Sequence, residues 1–189
     1  MLNNKRKVAL IAAVDLEGGF SKDGQIPWHY PEDFKWFKNR TSNNVCIMGR
    51  KTYDDINSRV NQRQQMITVE PGSINIATVP TLLPTRECFV VSSTLSGLPN
   101  ATVIKQWWDV DTHLDYDDQR TINIIGGQQL FQQAIPLADQ VILTVINDIF
   151  DCDKFFPVKY LMKHFTDTQT FKIDSQPALR FIVWQRVSK

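Results

Sequence analysis

The chain has 189 residues, 42% of them hydrophobic and 22% charged, which suits one well-buried globular domain. Its net charge of +1 gives no reason to expect nucleic acid or another polyanion as a partner. No apolar run is long enough to span a bilayer and no leader is recognisable, so we expect a cytoplasmic protein without a membrane partner.

The cysteines give no sign of a metal or redox site. Cys46, Cys88 and Cys152 lack the short pair spacings of zinc and thiol–disulfide motifs, and the three histidines are scattered. Cys46 and Cys88 stand in apolar runs, where a free cysteine behaves as a small hydrophobe. We expect three reduced thiols and no metal.

Apolar runs alternate with helical patterns along most of the chain. The pattern predicts helices from Pro31, a short one from Thr52, and one at 128–135, between buried strands at 8–14, 44–49, 88–93, 122–127 and 141–146. Such alternation predicts an α/β fold, with a central, mostly parallel sheet flanked by helices. Segments 169–174 and 180–187 surround a turn-rich stretch, so an antiparallel C-terminal hairpin should close the sheet.

A polar stretch at 58–81 interrupts this pattern. It contains two possible short strands, "MITV" at 66–69 and "INIATV" at 74–79. No linker composition separates it from the next predicted strand, so we interpret it as an insertion within a single domain covering 1–189.

One carboxylate lies in the most aromatic part of the sequence, "IPWHYPEDFKWFKNRT". A helix that begins near Pro31 puts Asp33 and Phe37 on one face. Asp33 could simply complement the helix dipole beside Glu32 and point to water. If it lines an apolar cleft instead, desolvation raises its pKa and makes it a candidate acid or anchor.

Two strand-to-helix turns could meet a phosphate. One runs through Gly49, Arg50 and Lys51 into the helix near Thr52, and the other through Gly126-Gly127. In an open α/β sheet both turns would line one crevice at the carboxyl ends of the strands. Neither matches the dinucleotide or phosphate-loop fingerprint, and the glycines could serve tight turns alone.

The order and spacing of these motifs resemble dihydrofolate reductase. The family pattern of Pro-Trp, an acid, an aromatic or aliphatic residue and a small polar residue is matched by Pro27, Trp28, Asp33, Phe37 and Thr41. "IMGRKT", "LPTR", "VVSS" and "IIGG" come after it in the family's order, and the resemblance runs from Val8 to about Pro157. It implies NADPH-dependent reduction of 7,8-dihydrofolate to 5,6,7,8-tetrahydrofolate, by hydride transfer to C6 with protonation at N5, in one-carbon and thymidylate metabolism.

The resemblance also implies substrate contacts. Asp33 would bind the pterin and promote protonation at N5, with Thr144 supporting the acid and Trp28 and Ile26 completing the catalytic group. Arg86 of "LPTR" would pair with the α-carboxylate of the glutamate tail. The remaining substrate-pocket residues would be Ile11, Ala12, Phe34, Phe37, Ile56, Leu83 and Ile125.

For the cofactor, the resemblance implies a 2′-phosphate site, a pyrophosphate site and a mobile loop over the nicotinamide. Gly126 and Gly127 match a family pair joined by a cis peptide. The implied NADPH-binding residues are Ala13, Phe20, Gln25, Gly49, Arg50, Lys51, Thr52, Ser92, Ser93, Gly126, Gly127, Gln128, Gln129, Leu130 and Phe131.

The sequence departs from the family pattern at three positions. Ser21 replaces a loop glycine, Gln129 replaces an arginine that often meets the pyrophosphate, and Phe131 replaces a common tyrosine. Two other readings stay open: a pyrimidine reductase of riboflavin synthesis, which resembles this fold, and a catalytically silent relative. The sequence also leaves both a monomer and a homodimer open.

Overall fold

The computed structural model describes residues 6–67 and 81–187. These residues form ten strands: β1 (Val8–Val14), β2 (Gly19–Ser21), β3 (Val45–Gly49), β4 (Glu87–Val91), β5 (Thr102–Ile104), β6 (Ile122–Ile124), β7 (Gln140–Ile146), β8 (Lys154–Phe155), β9 (Phe165–Lys172) and β10 (Leu179–Arg186). The helices are α1 (Pro31–Thr41), α2 (Arg50–Ile67), α3 (Gln128–Ala134) and α4 (Val158–His164), with short 3-10 helices at Trp107–Thr112 and Ile135–Leu137.

Eight strands form one sheet in the order β5-β4-β3-β6-β1-β7-β10-β9. The first six are parallel, β10 runs antiparallel to β7, and β9 pairs antiparallel with β10. β2 and β8 form a separate two-stranded sheet. The predicted mostly parallel α/β sheet with an antiparallel C-terminal hairpin is therefore confirmed.

The central strands are buried along most of their length because helices cover both faces of a parallel sheet. Leu10, Ile47, Phe89 and Ile124 are each fully or almost fully buried in the largest hydrophobic cluster. A second cluster contains Cys46 and Cys88, which are register partners in β3 and β4. All three cysteines are free thiols, as the sequence predicted.

Helix α1 begins at Pro31, as its sequence predicts. Proline suits the first turn because its fixed φ is helical and its missing N–H would have no intrahelical partner. Glu32 and Asp33 occupy the first turn and Lys38 and Arg40 the last, which complements the helix dipole at both ends.

Helix α2 is longer than predicted. It starts at Arg50 and extends for 18 residues, because no proline or glycine interrupts the sequence there and Arg59 pairs with Asp55 one turn earlier at 3.1 Å. The predicted strand at 66–69 is wrong in its first two residues, Met66 and Ile67, which are helical. The predicted strand at 74–79 lies outside the described residues. None of the helices described is long and apolar enough to cross a membrane.

Candidate active site

A cleft of about 2030 Å³ opens at the carboxyl ends of the parallel strands. A pocket for one drug-sized ligand occupies roughly 300–1,000 Å³, so this cleft has room for two ligands side by side. Every residue predicted for the site lines it except Trp28. Trp28 is buried behind the cleft wall, 5.0 Å from the ring of Phe150, and its indole Nε1 finds no acceptor among the described residues.

Asp33 lies on the cleft wall in the first turn of α1 and is partly buried. Burial raises the pKa of its carboxyl above the ordinary value, and a hydrogen bond from the Thr144 hydroxyl offsets only part of that rise. Thr144 is held in the middle of the buried strand β7. The acid on the aromatic helix therefore faces the cleft, and the reading in which it simply points to water is wrong.

Arg86 stands at one end of the cleft and is oriented by three acceptors. Its Nε donates to Thr41 Oγ1 at 2.9 Å, Nη1 to Pro84 O at 2.9 Å and Nη2 to Lys38 O at 3.4 Å. A guanidinium has five N–H groups, so one N–H on each terminal nitrogen remains for a ligand. Two such parallel donors match the geometry of a carboxylate.

The other end of the cleft is rich in donors. α2 begins directly at the end of β3, which places Arg50, Lys51 and Thr52 on the cleft at the first turn of a helix. Arg50 is half-exposed and forms a long ion pair with Asp54, 3.4 Å between Nη1 and Oδ2. The arrangement favours a phosphate because the dipole, the free N–H groups and the cations act together.

Ser92 and Ser93 face the same end but differ in availability. Ser92 is buried, and its Oγ accepts from the Thr94 and Leu95 N–H groups at 3.3 and 3.2 Å. Ser93 is exposed. Ser92 therefore holds the turn in place, and Ser93 is the freer of the two to meet a ligand.

The Gly126-Gly127 peptide is cis, as the resemblance implied. Gly126 has a φ of 132°, which side chains rarely adopt, and a Cβ there would lie 3.1 Å from Thr52 Oγ1. Gly49 N donates to Gly126 O at 2.7 Å, so the two predicted turns are in direct contact. The structure thus brings both candidate phosphate turns into one crevice.

The segment after β1 forms the rim of the cleft and includes Phe20, Gln25 and Ile26. Phe20 packs edge-on against Phe131, with 5.6 Å between ring centroids. Ser21, where the family has glycine, is buried without a positive φ and its carbonyl accepts from Asp153 N at 2.9 Å. The backbone at this position therefore does not require glycine.

Comparison with known proteins agrees with this geometry. The family model described as dihydrofolate reductase matches residues 7–79 and 72–186. The chain belongs to the dihydrofolate reductase family. Members of this family reduce dihydrofolate to tetrahydrofolate with NADPH.

Individual dihydrofolate reductases show similar coverage. That of Haemophilus influenzae is 34% identical over 154 residues, which cover 79% of this chain and 78% of that protein. That of Bacillus subtilis is 30% identical over 151 residues, covering 79% and 75%. The structure of the Enterococcus faecalis dihydrofolate reductase, complexed with NADP(H) and RAB-propyl, has the same fold, with a TM-score of 0.73 at 24% identity over 96% of this chain and 97% of that one.

The cleft of this dihydrofolate reductase family member also includes residues that belong to none of the sequence motifs. Arg59 and Val60 reach it because α2 is longer than predicted. Thr94 and Lys105 lie on its rim, as does Lys38 of α1. Lys105 belongs to no sequence motif, and only the fold shows that it borders the same cleft as Asp33.

Proposed function

We propose that this chain reduces 7,8-dihydrofolate with NADPH and that Asp33 is the catalytic carboxyl group. The observation that carries the assignment is the partly buried position of Asp33 on the cleft wall, with its pKa raised by burial and with Thr144 as its partner. A carboxyl group in such a setting is a candidate for proton transfer near neutral pH.

The chemistry of the pterin suits this carboxyl. N3 and the 2-amino group form an amidine-like edge that can donate two parallel hydrogen bonds to a carboxylate. These bonds strengthen as the ring gains positive charge, so the Asp33 contact stabilises the transition state more than the ground state. The same contact raises the proton affinity of N5, or Asp33 passes a proton to N5 through a water molecule. The proton ends on N5.

The residues at the opposite end of the cleft fit NADPH. We assign the 2′-phosphate to Arg50 and Ser93, with Ser92 holding the turn, and the pyrophosphate to Thr52 and residues 127–130. Bound NADPH supplies the hydride that C6 accepts. Phe20, Gln25 and Ile26 cover the nicotinamide and exclude water from the reacting carbon. The volume of the cleft, about 2030 Å³, supports binding of cofactor and substrate together.

We assign the glutamate tail of the substrate to Arg86. Its two remaining N–H groups support a fork to the α-carboxylate, and Phe37 packs beside the guanidinium, 5.7 Å from Arg86 Cζ to the ring centroid.

The free state of all three cysteines supports a reducing, cytoplasmic location.

The test is direct: purified protein, NADPH and dihydrofolate are mixed, and near-ultraviolet absorbance is followed. We expect a decline that Asp33→Asn slows by at least ~100-fold, in the range that general acid catalysis contributes. Glu32→Gln, one residue earlier in the same helical turn, is the matched control and should stay within about twofold of wild type. No decline with wild-type protein would reject the function, and equal effects of both variants would reject the role of Asp33.

A further inference from the structure

A second aspartate, Asp15, is more deeply buried than Asp33 and has no part in the reaction described above. It follows β1, is 2% exposed and does not line the cleft. Its Oδ1 accepts from Gly19 N at 2.7 Å and from Glu17 N at 2.9 Å, and its Oδ2 accepts from Phe150 N at 3.0 Å. Both oxygens of the carboxylate are therefore in use.

These bonds join two segments that are distant in sequence. Residues 15–26 include β2 and the cleft rim, and residues 148–156 include β8, which pairs with β2. Three backbone hydrogen bonds also join these two segments, and we call the contact between them the junction: Leu16 N to Asp148 O at 3.0 Å, Asp153 N to Ser21 O at 2.9 Å and Phe156 N to Gly18 O at 2.9 Å. An ion pair between Lys22 and Asp151 also crosses it, but both side chains are exposed and such pairs contribute little.

The two segments touch at Gly19. A Cβ on Gly19 would lie 2.5 Å from Cys152 Cβ and 3.0 Å from Asp15 Oδ2, so a larger residue would push the segments apart. Burial raises the pKa of the Cys152 thiol, and the hydrogen bond and negative charge of Asp15 raise it further. Both effects favour the protonated thiol beside the carboxylate.

We propose that Asp15 is a positioning residue, which fixes the rim loop 16–26 over the nicotinamide end of the cleft by fastening it to segment 148–152. The proposal rests on the proposed function. Phe20 in β2, and Gln25 and Ile26 after that strand, follow Asp15 within segment 16–26, so their position depends on the anchor at the start of the segment. A carboxylate suits the position because three N–H groups and a thiol converge on it and charged acceptors form the stronger hydrogen bonds.

Asp15→Asn tests the hydrogen bonds that anchor the segment while keeping the size and shape of the side chain. The amide has one acceptor oxygen, so in either orientation its NH2 group faces an N–H group, either of Gly19 or of Phe150. The substitution keeps size and shape but disrupts one side of the junction. Asp148→Asn is the matched control, because Asp148 is exposed in the same junction and, among the residues that the structure describes, its side chain accepts only from its neighbour Ile149 N, at 2.8 Å.

Three measurements test the proposal. The first is hydrogen exchange of the Gly19 and Phe150 amides in the cofactor-free protein, which we expect to accelerate at least tenfold in Asp15→Asn. The second is the equilibrium affinity for NADPH, which should weaken three- to tenfold. The third is single-turnover hydride transfer with NADPH and its deuterated form, which should slow at least tenfold with dihydrofolate affinity within about twofold of wild type. Asp148→Asn should match wild type in all three.

A folded Asp15→Asn protein with wild-type hydride transfer and NADPH affinity would overturn the proposal and leave Asp15 a purely structural residue. If the variant does not fold, hydrogen exchange of the wild-type protein with and without NADPH tests the proposal instead. Phe150 N–H lies outside the cleft, so NADPH should slow its exchange only if the junction is coupled to the cofactor end of the site. Unchanged exchange on NADPH binding would overturn the proposal. Absence of wild-type activity with dihydrofolate would instead reject the proposed function.

Discussion

Arg86 and Thr41 are linked by a hydrogen bond of 2.9 Å from Nε to Oγ1, although they are 45 residues apart in sequence. Thr41 is completely buried at the end of α1, where its hydroxyl also donates to Phe37 O at 2.7 Å. A buried hydroxyl with two fixed partners cannot rotate freely, so it sets the direction of the guanidinium. The last residue of the helix that bears Asp33 thus orients the arginine that we assign to the other end of the substrate site.

Arg86→Leu should raise the Michaelis constant for dihydrofolate at least tenfold. The substitution removes a charge-assisted pair worth ~1.5–3 kcal/mol, which corresponds to about ten- to a hundredfold in affinity. Turnover at saturation should change little, because this contact is similar in the ground and transition states. Steady-state kinetics with a reduced pterin lacking the glutamate tail provide the control. Equal losses with both substrates would show that Arg86 serves the fold.

Thr41→Val tests the orientation of the Arg86 guanidinium separately from its charge. Valine keeps the shape of the buried side chain but leaves Arg86 Nε without its acceptor and Phe37 O without its donor. We expect the Michaelis constant for dihydrofolate to rise by about threefold to tenfold, from loss of one hydrogen bond worth ~1 kcal/mol or a little more, with turnover unchanged. A change in turnover but not in the Michaelis constant would place the effect at Asp33 instead.

The parallel strands β1, β3, β4, β6 and β7 could be predicted because strands buried on both faces appear as continuous apolar runs. α1 could be predicted because Pro31 and the acids after it mark a helix start. β2, β5 and β8 were missed because two or three residues carry no measurable period. α2 was predicted too short because its polar residues resemble a loop in composition, although they are compatible with a helix.

Among the residues of the cleft and its surroundings, too, some could be predicted from the sequence and others could not. The position of Asp33, Arg86 and the Gly126-Gly127 turn on one cleft could be predicted because a family pattern fixes their spacing along the chain. Asp15 was missed because its importance depends on Phe150, 135 residues away, and no local pattern signals that contact. A buried acid with distant partners becomes visible only when the fold brings those partners together.

The raised pKa of Asp33 should appear in the pH dependence of the reaction. If proton delivery to N5 needs protonated Asp33, wild-type kcat/KM falls as pH rises through that pKa. In Asp33→Asn this ionisation disappears, and the residual rate should increase steadily as pH falls because solvent then supplies the proton. A wild-type-like pH profile in the variant would assign proton delivery to another group.

The same pKa predicts a stability effect in the ligand-free protein. A carboxyl whose pKa is raised on folding binds more protons in the native state, so its contribution to stability is complete below the unfolded pKa and is lost as pH rises through the folded pKa. Asparagine does not ionise, so Asp33→Asn removes this loss of stability at higher pH. Thermal unfolding of the variant at neutral pH should occur at a higher temperature than that of wild type, and the difference should vanish near pH ~4 or below. A lower melting temperature at neutral pH would show that ionised Asp33 is stabilised in the fold.

Arg50 offers the sharpest test of the cofactor assignment, because its present partner can be changed as well. Arg50→Ala should weaken NADPH binding at least tenfold and NADH binding less than about twofold, since NADH has a ribose hydroxyl in place of the 2′-phosphate and gives up no charge-assisted bond.

Asp54→Asn should change the affinity for NADPH in the opposite direction. Asp54 now holds Arg50 through an exposed contact of 3.4 Å and adds a negative charge near the proposed phosphate site, so its neutralisation should tighten NADPH by about two- to threefold and leave NADH unchanged. Fluorescence titration of each variant with both cofactors measures the four affinities. Equal losses of NADPH and NADH in Arg50→Ala would give Arg50 a structural role, and no gain in Asp54→Asn would show that the existing ion pair does not compete with the phosphate.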